Sequence, residues 1–318
     1  MWPARMTATK PCKNNDEMRM PYPASGPLTL DTNLADYPVT RALKSGAVKS
    51  DLVTFNFTGP KVANQGFKPM VREGRFDAGE LAIVTFLQAK IFGKPLTLLP
   101  AVVMARGQHH TVHYNVGRGR LTAQDIEGKR FGTRSYSVTT GVWVRGILKD
   151  EYGVDSDKVT WCTTDDGHLA EYIDPPNAVR LPAGSNVETM LVEGDLDGAI
   201  LGGDLPDEPR VAPLFPDPHQ AAEEWSRRNG MVPINHLFVV RSELAKARPD
   251  VVREIFRVLK ESKAAGVPAT GGLDPVPFGV EANRKALETI IRYSYEQKVI
   301  PRLMSVDELF DDVTRELV

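Results

Sequence analysis

Apolar and polar positions along the chain follow two rhythms. Residues 28–33 (LTLDTN) alternate with the period of two of a half-buried strand. Residues 39–45 show a short helical pattern stopped at Gly46, and 52–57 read as a second strand. Residues 76–92 run apolar to Gly93, which predicts a helix with Asp77 as its cap. Residues 96–104 have the continuous apolar character of a buried strand. The rhythm then repeats as a short helix (122–127), a strand (129–132), a long helix (137–152) stopped at Gly153, a strand (159–162), a helix (186–192) and a strand (198–201). A Pro- and Asp-rich loop is predicted over 202–219. After it come a strand at 237–241, amphipathic helices at 249–265 and 280–298, and a closing segment, 305–317, that opens on a Ser-x-x-Glu capping pattern. Strands alternating with helices predict α/β layering.

Two strand-like segments carry polar residues inside them: 109–115 (HHTVHYN) and 234–240 (INHLFVV). They flank the middle third of the chain. If that third is a lobe inserted into the other, these are the crossing strands, and a ligand cleft lies between the lobes. The chain's 318 residues suit two lobes of about 150 each. The expected division is a leader over 1–26, a first lobe from 27–112 and 236–318, and an inserted second lobe from 113–235.

Composition narrows the function classes. Formal net charge is −2, so no bulk attraction to nucleic acid or an anionic membrane is expected. No apolar run approaches the ~20 residues that span a bilayer. Residues 1–26 lack the apolar stretch and cleavage site of a secretory signal, and read as a disordered leader or the product of an upstream start. The two cysteines, Cys12 and Cys162, do not form a disulfide framework, and the cytoplasm is the expected compartment. Gly-x-Gly-x-x-Gly, Walker and Gly-x-Ser-x-Gly patterns are absent, which leaves nucleotide cofactors and serine hydrolysis without support.

Six histidines supply the candidate chemistry: His109, His110, His113, His168, His219 and His236. On an extended strand His109 and His113 share one face and His110 takes the other. A divalent metal held by His109, His113 and His236 is one reading, and hydrogen-bonded structural histidines at a lobe boundary are the other. His236 and His110, on adjacent crossing strands, would both face the cleft, where a histidine is the natural proton donor near neutrality. Arg41, Arg106 and Arg145 are candidates for gripping a carboxylate through both oxygens, with a solvated or salt-bridged helix face as the alternative for Arg145. Ser137, Thr139 and Thr140 open the long helix after a strand, as an anion site or an ordinary cap. Glu80 is either a first-turn charge or a carboxylate aimed into the cleft.

Longer motifs carry a resemblance. They are Tyr37 with Thr40-Arg41-Ala42-Leu43, Phe76-Asp77 with Glu80, and His110-Thr111 with Tyr114. Gly128-Lys129-Arg130, Tyr136 and the run from Val142 through Arg145 to Val154 follow, then Pro233-Ile234 with His236. The run from Phe278 to Arg284, Arg292-Tyr293 and Glu296-Gln297 close the set. With these the chain resembles the 4,5-dihydroxyphthalate decarboxylase family, from about residue 28 to 317. It departs from the family pattern at Pro38-Val39, at His109 and at Arg134-Ser135-Tyr136-Ser137.

The resemblance implies a two-lobed periplasmic-binding-protein type II-like α/β fold, each lobe a mixed sheet flanked by helices, with the ligand cleft between them. It implies decarboxylation of a hydroxylated aromatic acid without an organic cofactor; a divalent metal at the histidines stays as the alternative. His236 is then expected as proton donor, His110 as its phenol-side partner and Glu80 as a third catalytic group. Arg41, Tyr37, Arg106, Tyr136, Ser137, Thr139 and Thr140 are expected to bind substrate. The expected partners are a small aromatic carboxylate and further copies of the chain in a homo-oligomer, with no nucleic acid and no membrane. The competing class is a solute-binding protein that binds such an acid and leaves it intact.

Overall fold

A computed structural model describes residues 22–203, 208–268 and 271–318. The expected leader, with Cys12, lies outside the described residues up to residue 21, as do residues 204–207 of the expected loop. The described strands form two mixed sheets. The first contains β1 (Leu28–Asn33), β2 (Val53–Asn56), β3 (Ala78–Ala82), β4 (Leu96–Ala105) and β11 (Ile234–Arg241), in the order β2-β1-β3-β11-β4. The second contains β5 (Val112–Asn115), β6 (Arg130–Thr133), β7 (Thr160–Thr163), β8 (Ala178–Arg180), β9 (Gly198–Ile200) and β10 (Val211–Pro213), in the order β10-β5-β9-β6-β7-β8. The chain thus leaves the first sheet after β4 and re-enters it at β11. This is the two-lobed α/β architecture that the sequence predicts.

Helices pack on both sheets. They are α1 (Arg41–Lys44), α2 (Phe67–Glu73), α3 (Ile83–Ile91), α4 (Thr139–Tyr152), α5 (Val187–Glu193), α6 (Pro218–Asn229), α7 (Ser242–Ala247), α8 (Pro249–Gly266) and α9 (Val280–Glu296). Among the described residues no helix is long and apolar enough to cross a membrane.

β11 is the buried spine of the first sheet. It runs antiparallel between β3 and β4, and Leu237, Phe238, Val239 and Val240 have no exposed surface. One apolar cluster continues from this sheet into the second. At its centre Trp143 of α4 meets Tyr293 of α9 edge-on at 5.7 Å and Trp225 of α6 at 6.1 Å. Gly146 makes the α4–α9 approach possible, since a Cβ there would sit 2.1 Å from the Tyr293 ring. The Trp143 indole N–H donates to the Ile234 carbonyl at 2.8 Å, which fastens α4 to the start of β11.

Several expected elements change on folding. Residues 76–92 are not one helix: β3 precedes α3, and Asp77 caps nothing but accepts from the Asp31 amide and the Tyr22 hydroxyl. The first part of that run is a strand because it slots between β1 and β11, and Gly79 (φ 150°) permits the close approach to Asn33. Residues 109–115 are not one strand either. Thr111 folds back on the Gln108 carbonyl through both its amide and its hydroxyl, closing a 3-10 turn over His109–Thr111 before β5. Helices α2 and α6 lie where no helix was expected. α6 starts on Asp217, whose side chain accepts from the Gln220 amide, with Pro218 in the first turn, so part of the expected loop is helix. The closing segment is two 3-10 turns, Asp307–Leu309 and Thr314–Glu316, although Ser305 and Glu308 do exchange both bonds of the capping pattern.

Candidate active site

Glu80 has no solvent exposure, on a strand whose five residues are all buried. Antiparallel register sets Phe238 opposite Glu80 and His236 opposite Ala82, so His236 is the diagonal neighbour of Glu80 on the same face. Nδ1 of His236 lies 2.6 Å from Glu80 Oε2. The same oxygen accepts from the Tyr37 hydroxyl at 3.0 Å, and Oε1 accepts from the Ala35 amide at 2.6 Å. A carboxylate buried this completely is tolerated only when its oxygens are satisfied. Burial first, and then the Glu80 charge and hydrogen bond, push the Tyr37 hydroxyl far above its ordinary range, so it stays protonated and donates. With Glu80 accepting at Nδ1, the Nδ1 proton belongs to the ring and Nε2 is left to face a reactant; Nε2 makes no hydrogen bond to a described residue.

The facing wall comes from the second sheet. The loop after β7 carries His168, whose Nδ1 lies 2.6 Å from Thr85 Oγ1 in the first turn of α3. Its Nε2 lies 3.4 Å from Arg134 Nη2, just past the end of β6. Arginine only donates, so Nε2 accepts and the proton sits on Nδ1. Burial foremost, then the charges of Arg134, Lys68, Arg72 and His236, push His168 down to about 3. Its ring is therefore neutral at physiological pH. Phe67 stands between the two histidines, edge-on to His236 at 5.0 Å and to His168 at 5.7 Å.

Two helix starts meet here. The Val84 amide, in the first turn of α3, donates to Thr139 Oγ1 in the first turn of α4 at 3.3 Å. Both N-termini direct free amides and positive dipole ends into the same region. At the carboxyl ends of β6 and β7, where open α/β sheets bind ligands, Thr133 Oγ1, Ser135 Oγ and Thr163 Oγ1 are buried and have no hydrogen-bond partner.

No known family profile matches the chain. It is 29% identical over 261 residues to the 4,5-dihydroxyphthalate decarboxylase of Comamonas testosteroni, covering 76% of each chain. It is 29% identical over 220 residues to the Pseudomonas putida protein of the same name, covering 63% of this chain and 82% of that one. The chain is related in sequence to the 4,5-dihydroxyphthalate decarboxylases. Its fold is that of periplasmic binding proteins. The alkanesulfonate-binding protein SsuA of Xanthomonas axonopodis pv. citri, bound to MOPS, superposes with a TM-score of 0.52 at 14% identity, covering 90% of this chain and 99% of that one. The aliphatic sulphonate binding protein SsuA of Escherichia coli gives 0.53 at 11% identity, covering 90% and 92%. At such identities the likeness is one of fold alone.

Of the residues expected from sequence, the structure brings Glu80, His236, Tyr37 and Thr139 together, with different duties for some. The Tyr37 hydroxyl is committed to Glu80, whose Oε2 also holds His236 Nδ1. Thr139 ties the two helix starts. Thr140 is half-buried in the first turn of α4, and Ser137 is buried beside it, where a Cβ on Gly167 would come within 3.0 Å of its Oγ. Tyr136 is buried, and one face of its ring is taken by the Arg145 guanidinium at 3.9 Å. Arg145 itself is not solvated, and among the described residues it makes no salt bridge. It is buried, donates to Gln297 Oε1 and to the Tyr136 carbonyl, and is held by packing rather than by a carboxylate.

Arg41 points outward, 64% exposed and paired with Asp36 at 3.1 Å, so it is no cleft anchor. His110 is not beside His236. It stacks on His219 at 5.8 Å along a cavity of about 1150 Å³ that Arg106 also lines. Arg106 donates to the Gly202 carbonyl at 2.9 Å, and its charge is felt at Tyr37. The histidines of the metal reading do not converge. His109 packs its ring on Phe215 and burial pushes it down to about 4, His113 lies in β5, and His236 is on Glu80. Among the described residues no group of three or more His, Cys, Asp or Glu is arranged to hold a metal ion. Sequence reasoning counted His168 among the six histidines and Arg134 in a departure from the family pattern without giving either a role, and did not select Phe67 or Arg72. A lone histidine in a polar loop carries no periodic signal, and only the pairing of β6 with β7 sets Arg134 beside it.

Proposed function

We propose that the protein is a carboxy-lyase acting on a hydroxylated aromatic acid of the 4,5-dihydroxyphthalate type, releasing carbon dioxide and a hydroxylated benzoate. The observation that carries this reading is the pair of buried Glu80 and half-buried His236 facing a wall of cations and helix starts. In such a substrate each carboxylate is para to a hydroxyl. Proton transfer from His236 Nε2 to the ring carbon bearing the carboxylate forms the new C–H bond. The ring's positive charge is delocalised onto the para hydroxyl oxygen, which keeps its proton. The C–C bond then breaks, its electron pair restores the aromatic ring, and carbon dioxide leaves. His236 is left neutral and is reprotonated from solvent. Glu80 keeps the Nδ1 proton in place throughout and so presents Nε2 to the substrate. The chemistry needs no organic cofactor, because the para hydroxyl donates the electron density that stabilises the protonated ring. The positive wall suits the retained carboxylate, and Phe67 supplies a dry surface for the leaving one.

The test is a panel of hydroxylated aromatic acids with released carbon dioxide measured. Release from at least one acid, lost in His236→Ala, is expected. Binding without release from any of them would overturn the reading in favour of a solute-binding protein. That second reading is favoured by the fold shared with the sulfonate-binding proteins.

A further inference from the structure

The loop after β7 belongs to the second sheet by chain order, yet it is fastened to elements of the first. Arg72 of α2 donates through Nε to the His168 carbonyl at 2.7 Å and through Nη2 to the Gly167 carbonyl at 2.8 Å. Thr85 holds His168 Nδ1 at 2.6 Å, and Lys94 pairs with Glu171 at 2.5 Å. The imidazole is thus clamped on the first-lobe side, and its remaining nitrogen meets the Arg134 guanidinium. Arg134 is otherwise lightly held. Its carbonyl accepts from the Thr164 and Asp165 amides, but its side chain is 44% exposed and, among the described residues, its one ion pair is with Asp165, at 3.7 Å. An exposed pair at that distance does little to fix a guanidinium.

We infer that His168 is a positioning residue: its Nε2 accepts from Arg134 and aims that guanidinium across the cleft, opposite His236, as the anchor of the substrate's carboxylate. This rests on the proposed reading that the cleft takes an aromatic carboxylate. The ring is suited to the task because it is buried between Thr85 and Phe67 and stays an acceptor at physiological pH. A protonated histidine would repel Arg134. Arg134 in turn can bind a carboxylate through two parallel N–H bonds, which Lys68 cannot do. The arrangement also makes the anchor depend on both lobes, since the groups that clamp His168 come from α2 and α3 and the anchor comes from β6.

The test is a double-mutant cycle read as the dissociation constant of 4,5-dihydroxyphthalate, with KM and kcat measured alongside. Arg134→Ala is expected to weaken binding about 10- to 100-fold, the effect of a lost charge-assisted bond. His168→Leu should weaken it about 10-fold, with a larger change in KM than in kcat. His168→Gln, which restores an acceptor, should recover most of the loss. Arg134→Ala with His168→Leu should bind no worse than Arg134→Ala alone. Additive losses in the double variant, equal losses in the leucine and glutamine variants, or a fall in kcat at constant KM would overturn the inference. If the leucine variant does not fold, Thr85→Val removes the Nδ1 partner and enters the same cycle, where additivity with Arg134→Ala again overturns it. Intact binding without carbon dioxide release removes only the proposed reaction, whereas no binding by the native protein at millimolar ligand overturns both.

Discussion

The two walls of the cleft use the same residue type in opposite ways. His236 sits on a carboxylate that has no solvent exposure, while His168 sits among arginines and a lysine and is pushed down to about 3. One ring is hydrogen-bonded to a carboxylate, and the other is kept from taking a proton. The difference lies in what the neighbouring strands and loops bring within 3 to 4 Å, since the imidazole is common to both. A histidine's role is therefore read from its partners, and the Nδ1 partner in particular decides which nitrogen faces the substrate.

The sharpest way to break this comparison is His236→Ala. Loss of a general acid should lower kcat by about 10²- to 10⁴-fold, with the dissociation constant of the substrate changed only a few-fold. Steady-state rates and calorimetric binding on the same variant check it. Next is Glu80→Gln, which keeps the volume but replaces the carboxyl acceptor with an amide. A fall in kcat of about 10²-fold or more is expected, because the amide also admits the wrong tautomer of His236. A rate within a few-fold of native would show that orientation of His236 by Glu80 is not needed.

The neutral histidine predicts a pH effect on stability. The ring is pushed down to about 3 in the folded protein, against about 6.5 in an unfolded chain. Between those values the unfolded state binds the extra proton, so His168 costs nothing above pH ~7 and destabilises the fold increasingly as pH falls below ~6.5. From pH 7 to pH 5 the cost comes to about 2 kcal/mol. Urea unfolding at both pH values should show the native protein losing about that much more stability than His168→Gln, and equal losses would contradict a neutral buried ring. The smallest effect is expected at Arg41→Ala. Its exposed pair with Asp36 is worth about 0–1 kcal/mol, and turnover should stay within about twofold of native.

Much of the fold was legible in the pattern of residues. β1, α4, α8 and α9 are long or strongly periodic, and their expected bounds lie within two residues of the observed ones. β3 was hidden because its apolar run continues straight into α3, so periodicity could not divide them. α6 was hidden by its polar composition, with Trp225 as its one buried residue. In the site, Glu80 and His236 stood out by residue type and motif. The expectation for His110 failed because it assumed an extended 109–115, and a hydroxyl-closed turn at Thr111 sends that ring to His219 instead.

The sequence by itself determined the alternation of elements, the two-lobed class and the residues able to do acid–base chemistry, because these depend on local period and side-chain type. Only the tertiary structure decided which of those residues meet. Glu80 and His236 are 156 positions apart and are joined by the antiparallel register of β3 and β11. His168 and Thr85 are 83 apart and are joined by a loop docking across the cleft. Contacts at such separations follow from strand order and packing, which no local pattern encodes, and the neutrality of His168 follows from those contacts.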